Sequence, residues 1–308
     1  MKKFIAVACC IVFCGLAVFA AEFISNNRSA DSAVPSQSAE SLPFSADVSK
    51  AVGNTSKQAV SQAEGESSAS EKAENKADTV RIVANGDSIT FGHMPSTAGD
   101  GELIPNRGYE GMTNGVSFVT LACRNLGFEL DNGAISCSTL SLEANGEDKH
   151  NALINRFALM PDDADLVFIA IGSNDWFYQL ELGQMSDRDG TSFYGALHTL
   201  CGGLKKKYPD CPIVFSTPIK RWIYREDDSI PGKLNAHRQE ISLYCNVIKQ
   251  VCAAYGIDVI DMYNECGFDL WSQTDRDAFA PDGTHPNLDG HRKMAAVLEK
   301  RLKKYFEK

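Results

Sequence analysis

The order of apolar runs predicts an α/β fold: a three-layer sandwich with helices covering both faces of a parallel, five-stranded sheet. Three observations predict it. From Thr79 to the C-terminus, short β-rich runs alternate with helical stretches, the signature of strands joined by crossover helices. One run, Leu166 to Ile171, is almost continuously apolar, as a strand buried on both faces must be. Finally, the unusual polar clusters follow the apolar runs, where open α/β sheets carry their functional groups.

The first strand is expected at Val80-Arg81-Ile82-Val83-Ala84, leading into Asn85-Gly86-Asp87-Ser88 and then a Gly- and Pro-rich loop to about Gly111. Phe118, Leu121, Ala122 and Leu126 share one helical face, and Phe128 to Asp131 reads as a second, short strand. Leu166 to Ile171 is the third. Ser192 to Lys207 predicts a helix and Ile213-Val214-Phe215 the fourth strand. Between Leu234 and Tyr255 a helical period runs through Ile241, Tyr244, Cys245, Ile248, Val251 and Cys252, and Gly256 is a natural stop. Ile257 to Met262 is the fifth strand. Leu288 to Tyr305 closes the chain as a helix with Met294, Val297, Leu298 and Leu302 for packing.

Two different textures precede this domain. Residues 1–21 begin with Met1-Lys2-Lys3 and continue without charge from Phe4 to Ala21. Small residues at Val18 and Ala20 suit cleavage after Ala20, so the segment is expected to be a signal peptide or an N-terminal anchor. Residues 22–78 are rich in Ser, Ala, Glu, Gln and Asn with isolated apolar residues. Such a chain buries too little apolar surface to offset its ordering entropy, and a disordered tether is expected. The organisation is therefore export segment, linker and one domain over 79–308, with a secreted or cell-surface location and membrane or cell-wall tethering through the N-terminal region.

A net charge of -10 argues against nucleic acid as partner, because phosphate backbones reward Lys and Arg. Seven cysteines lie beyond the export segment, at 123, 137, 201, 211, 245, 252 and 266. Their odd number leaves at least one outside any intramolecular pairing, and no pairs are assigned. Cys9, Cys10 and Cys14 fall inside the apolar segment. No two histidines have metal-ligand spacing, so neither a metal nor an organic cofactor is expected.

The chemistry resides in three clusters. Ser88 follows a strand and a glycine, a placement that displays a hydroxyl at a sharp turn and directs backbone N–H groups toward a developing oxyanion. The same tripeptide also serves as a helix N-cap, so Ser88 alone decides nothing. A serine hydroxyl needs a general base, and His285 supplies one, with Asp282 three residues away to orient the second ring nitrogen. Taken alone, Asp-Gly and His-Pro are ordinary turn material. Asn174, directly after the third strand, offers an amide donor for a tetrahedral oxyanion, and Asp175 is expected to fix the loop through backbone hydrogen bonds.

Gly86-Asp87-Ser88-Ile89, Gly172-Ser173-Asn174-Asp175 and Asp282-Gly283-Thr284-His285-Pro286 together resemble the motifs of the SGNH hydrolases, the GDSL-type esterase and lipase superfamily. The resemblance implies a flavodoxin-like sheet, Ser88 as nucleophile, His285 as acid–base residue and Asp282 as its partner. It also implies an oxyanion hole built from the Ser88 N–H, the Asn174 side chain and the N–H of a glycine after the second strand. This chain departs from the pattern there: the segment reads Asn132-Gly133-Ala134-Ile135-Ser136-Cys137. Cys137 is the closest match to that glycine and Gly133 is the alternative register. A cysteine keeps the N–H, but its side chain is expected to bar a backbone requiring positive φ.

Trp176, Tyr178 and Trp222 are the expected substrate-binding residues, with Pro95, Ile104, Pro105, Asn106, Arg107 and Tyr109 a further candidate wall. Aromatic faces beside polar groups suit a sugar ring or a modest acyl chain, although packing is their default role. Arg107, Lys220 and Arg221 could meet an acidic substrate, with solvation at the surface the ordinary alternative. The reading is a serine esterase acting on small acyl esters, O-acetyl groups of an extracellular carbohydrate foremost. The alternatives are a lipase or lysophospholipase, or a non-catalytic carbohydrate-binding protein on a hydrolase scaffold. A dinucleotide-binding fold is disfavoured because no GxGxxG follows the first strand.

Overall fold

The computed structural model describes residues 79–92, 104–105, 113–114, 116–145, 152–226 and 228–307. The expected export segment and tether lie outside the described residues, as do Pro95, Asn106, Arg107 and Tyr109. Ile104–Pro105 and Thr113–Asn114 pair as a two-residue antiparallel ladder.

Five strands form the sheet: β1 (Arg81–Gly86), β2 (Glu129–Asn132), β3 (Leu166–Ala170), β4 (Ile213–Ser216) and β5 (Asp258–Ile260). Their order is β2-β1-β3-β4-β5 and every pairing is parallel. This is the expected flavodoxin-like arrangement. The chain leaves β1 to one side and returns past it to β3, so the order reverses between these two strands. The crevice beyond their C-terminal ends is where such sheets bind ligands.

Strand periodicity explains the three layers. Ile82, Ala84, Leu166, Phe168 and Val214 face one side, packed with residues of α2 (Phe118–Leu126) and α6 (Leu288–Phe306). Val83, Val167, Ile169 and Phe215 face the other, against α4 (Phe193–Lys207) and α5 (Ser242–Ala254). Successive strand side chains point to opposite faces, so a run buried on both is apolar throughout. Two further helices are one turn long and sit at the crevice, α1 (Ser88–Phe91) and α3 (Ser173–Phe177).

The structure corrects some element boundaries. The helix expected from Leu234 begins only at Ser242. In the preceding loop Arg238 has φ 58°, and the Asn235 side chain accepts from the Gln239 N–H and donates to the Trp176 carbonyl. These local bonds compete with helix formation. The fifth strand is shorter than expected, and the second is shifted by one residue to 129–132. A helix at Gln273–Phe279, capped by Ser272, was not foreseen. The seven cysteines are all free thiols, five of them buried, consistent with small apolar side chains in a core.

Gly86 ends β1 opposite Ala170. A Cβ there would lie 2.3 Å from the Ala170 carbonyl oxygen and 2.5 Å from Thr90 Oγ1, so only glycine lets β1 approach β3 this closely. Gly86→Ala is expected to lower stability by roughly 1–3 kcal/mol through overpacking, read by chemical denaturation. An unchanged midpoint would show that the end of β1 yields freely.

Candidate active site

Ser88 is the first residue of α1. Asp87 caps that helix by accepting the Ile89 N–H at 3.0 Å, and Gly92 ends it after one turn in the left-handed region. The helix is too short to carry the hydroxyl away from the sheet edge. From the other end of the chain, His285 Nε2 lies 2.9 Å from Ser88 Oγ. His285 Nδ1 lies 2.6 Å from Asp282 Oδ2, while Asp282 Oδ1 accepts the N–H groups of His285 (2.7 Å) and Thr284 (2.9 Å). One carboxylate oxygen thus folds the loop and the other faces the ring. A proton on Nδ1, directed at Asp282, leaves Nε2 as an acceptor for the serine hydroxyl.

The loop geometry depends on Gly283, at φ 76°. A Cβ there would fall 2.3 Å from the Trp222 carbonyl oxygen. The Trp222 N–H donates to the Gly283 carbonyl at 2.8 Å, so the segment leaving β4 lies directly against the Asp282–His285 loop.

Asn174, in α3, is buried. Its Nδ2 donates to the Ser138 carbonyl at 2.9 Å, and its Oδ1 accepts from Arg221 at 3.3 Å. Asp175 is fully buried and accepts the N–H groups of Leu140 (2.9 Å) and Ser141 (3.3 Å). It thereby holds the end of the loop that follows β2. Arg156, also buried, donates to the carbonyls of Gly133 (2.7 Å) and Gly86 (3.1 Å), to Ser138 Oγ (2.7 Å) and to Asn85 Oδ1. One guanidinium thus ties that loop to the end of β1. Sequence reasoning missed Arg156, because nothing near Leu153-Ile154-Asn155-Arg156 in the chain names the partners it meets at the end of β1 and in the loop after β2.

Gly133 is committed elsewhere: its N–H extends the sheet to the Ala84 carbonyl at 2.9 Å. The register therefore favours Cys137. The expectation that its side chain would bar positive φ is corrected, because Cys137 has φ 63° and is exposed. The cysteine adopts the left-handed backbone that glycine takes freely, at a cost of roughly 1–2 kcal/mol.

The aromatic expectations divide. Trp176 is fully buried and its indole N–H donates to the Gln239 carbonyl at 2.8 Å, so it braces the α5 side and does not line an open cavity. Trp222 packs beneath the Arg276 guanidinium, 4.1 Å from the ring centroid, and against Gly232. It supports the final loop. Tyr178 is partly exposed and meets Phe177 edge-to-face at 5.3 Å; it remains available as a wall. Lys220 pairs with Asp269 at 2.6 Å. Arg221 is not a solvated surface cation, since it bonds to Thr284, Ser173 and Asn174.

Burial dominates the electrostatics. Desolvation pushes Asp87 up to about 6, against the pull of the Ile89 N–H and the charges of His285 and Arg221. It pushes Asp175 up to about 7, despite the backbone N–H groups it accepts. Burial would also raise Asp282, but the hydrogen bond and charge of His285 outweigh it and hold Asp282 below the usual carboxylate range. His291 is driven down to about 3 by burial and then by the charge of His285. Being neutral, it accepts the Phe118 N–H at 3.2 Å, a packing role. Among the described residues, no group of three or more His, Cys, Asp or Glu side chains is arranged to hold a metal ion.

A model of the GDSL-like lipase/acylhydrolase family matches residues 84–293. Among solved structures, a protein from Lactobacillus plantarum is 27% identical with a TM-score of 0.59, the match covering 73% of this chain and 97% of that one. A possible lipase from Chitinophaga pinensis is 17% identical with a TM-score of 0.54, covering 74% and 100% respectively, a likeness of fold. No curated protein matches the chain.

The raised Asp175 gives a signed pH dependence. Between about 4 and about 7 the folded state holds a proton that the unfolded state releases, so stability falls as pH rises through this window. Asp175→Asn should flatten the decline of the thermal midpoint across it. A slope equal to the parent's would remove Asp175 as its source. Asp282 acts in the opposite sense, its contribution being lost only as pH falls below the usual carboxylate range.

Proposed function

This chain belongs to the GDSL-like lipase/acylhydrolase family and is an ester hydrolase; we propose that Ser88, His285 and Asp282 carry out its reaction on small acyl esters, O-acetyl groups of a carbohydrate foremost. The observation that carries the proposal is the 2.9 Å approach of Ser88 Oγ to His285 Nε2, between residues from opposite ends of the domain.

As the serine oxygen attacks the acyl carbonyl, His285 Nε2 takes its proton. Asp282 stabilises the imidazolium through Nδ1. The carbonyl oxygen becomes an oxyanion facing the N–H groups of Ser88 and Cys137 and the side-chain amide of Asn174. One Asn174 amide hydrogen is directed at Ser138, and the second serves the oxyanion. His285 then protonates the departing alcohol, leaving an acyl-enzyme. Water deprotonated by the same ring attacks that ester, and collapse of the second tetrahedral intermediate frees the acid and restores Ser88. The proton taken from Ser88 leaves with the alcohol and one taken from water returns to Ser88 through His285, so the cycle balances with water as the only co-substrate.

Support for a small acyl group comes from the aromatic pair Phe177 and Tyr178, three and four positions after Asn174, and from a sequence without an evident long apolar lid. The extracellular setting rests on the basic-then-apolar opening of the chain and the Ser-, Ala- and Glu-rich stretch that follows. Deleting residues 1–21 is expected to leave the protein in the cytosolic fraction; export of the shortened chain would refute that setting. A binding protein without turnover has no use for a serine hydroxyl poised on an imidazole, which disfavours the non-catalytic reading.

Activity on p-nitrophenyl esters at neutral pH tests the proposal. Ser88→Ala and His285→Ala should each reduce turnover by about 10⁴-fold or more while the fold is retained. Across a series from acetate to long-chain esters, kcat/KM should be highest at acetate. Rising efficiency with chain length would point instead to a lipid ester, and a folded Ser88→Ala protein with parental turnover would exclude the serine mechanism.

A further inference from the structure

We propose that Arg221 is a positioning residue of the hydrolytic site, one guanidinium plane that both aims the Asn174 amide and holds the loop carrying His285. The inference rests on the roles of Ser88, His285 and Asn174 proposed above and adds what keeps two of them in register.

Arg221 lies in the segment that leaves β4 and crosses the mouth of the sheet toward α5. Its Nε donates to Thr284 Oγ1 at 2.9 Å, and Thr284 immediately precedes His285. Its Nη1 donates to Asn174 Oδ1 at 3.3 Å and lies at a similar distance from the carbonyl and hydroxyl oxygens of Ser173. These contacts join α3, which follows β3, to the loop that carries His285, 110 positions further along the chain.

The bond to Asn174 decides which end of the amide faces the reacting oxygen. With Oδ1 held by a cation, Nδ2 points to the Ser138 carbonyl and to the oxyanion. A rotated amide would set its NH2 against the guanidinium and its oxygen against two negative oxygens, so rotation is opposed at both ends. Lysine cannot substitute, because a single ammonium lacks the planar fork needed to serve Thr284 and Asn174 together.

The surroundings make these bonds effective. The guanidinium lies 4.5 Å from the Phe177 ring centroid and 6.0 Å from that of Trp176, which shields one face from water. The neighbouring Trp222 N–H bonds to Gly283, so the strap is fastened to the same loop at two successive residues. Burial draws Arg221 below its ordinary range, and the nearby Asp87 and Asp282 carboxylates offset part of that.

The test uses the full chain with p-nitrophenyl acetate. Arg221→Met and Arg221→Lys should each lower kcat by about 10- to 100-fold, short of the roughly 100- to 1,000-fold loss on removing an oxyanion donor, with KM within about threefold of the parent. A double-mutant cycle separates positioning from general support. In an Asn174→Ala background the further loss from either Arg221 change should shrink to below about threefold, and Arg221→Lys carries the cycle if Arg221→Met does not fold. Losses that multiply in the double variant, or a change confined to KM, would overturn the proposal. Failure of the underlying reading is separately visible, as full turnover in Ser88→Ala or in Asn174→Ala alone.

Discussion

The hydrogen bond between Ser88 and His285 spans 197 positions of sequence, and it exists only because two backbone placements coincide. One is the end of β1, where Gly86 pairs with Ala170 of β3 closely enough to exclude a side chain. The other is a loop folded on its own aspartate, pressed onto Trp222 and leading directly into α6, which Asn287 caps. A hydrogen bond weakens steeply with distance and angle, so neither placement has much latitude. Strand order supplies the rest: its reversal between the parallel strands β1 and β3 opens the crevice in which both loops meet.

Beneath this contact lies a layer of polar groups that water does not reach. Asp87, Asp175, Arg156 and His291 are each buried, and each bonds to backbone: Asp87 and His291 to N–H groups at helix starts, Asp175 and Arg156 to the loop after β2. Burying such groups is unfavourable unless they are bonded, and the raised carboxyls show that desolvation is only partly offset. In return, loops without regular structure acquire fixed geometry. Cys137 belongs to the same economy of strain. Its left-handed backbone persists because the flanking residues are anchored by Arg156 at Ser138 and by Asp175 at Leu140.

Much of this was already legible in the chain. The continuous apolar run at Leu166–Ala170 and the alternation of strands with helical periods determined the sheet and its two covered faces, because side-chain burial follows from backbone period and hydrophobicity alone. The three motifs determined which residue types stand at the ends of the strands. Tertiary structure alone decided the bracing. Arg221 reads as a solvated cation, and Arg156 carries no local signal, until loops remote in sequence bring carbonyl and amide oxygens around them; Trp176 reads as a wall of a pocket until packing closes over it, while the half-buried Trp222 lies against Arg276. Local pattern records what a residue can do within a few positions of itself. Which oxygen a guanidinium meets, or whether an indole sees water, depends on neighbours that only the folded chain assembles.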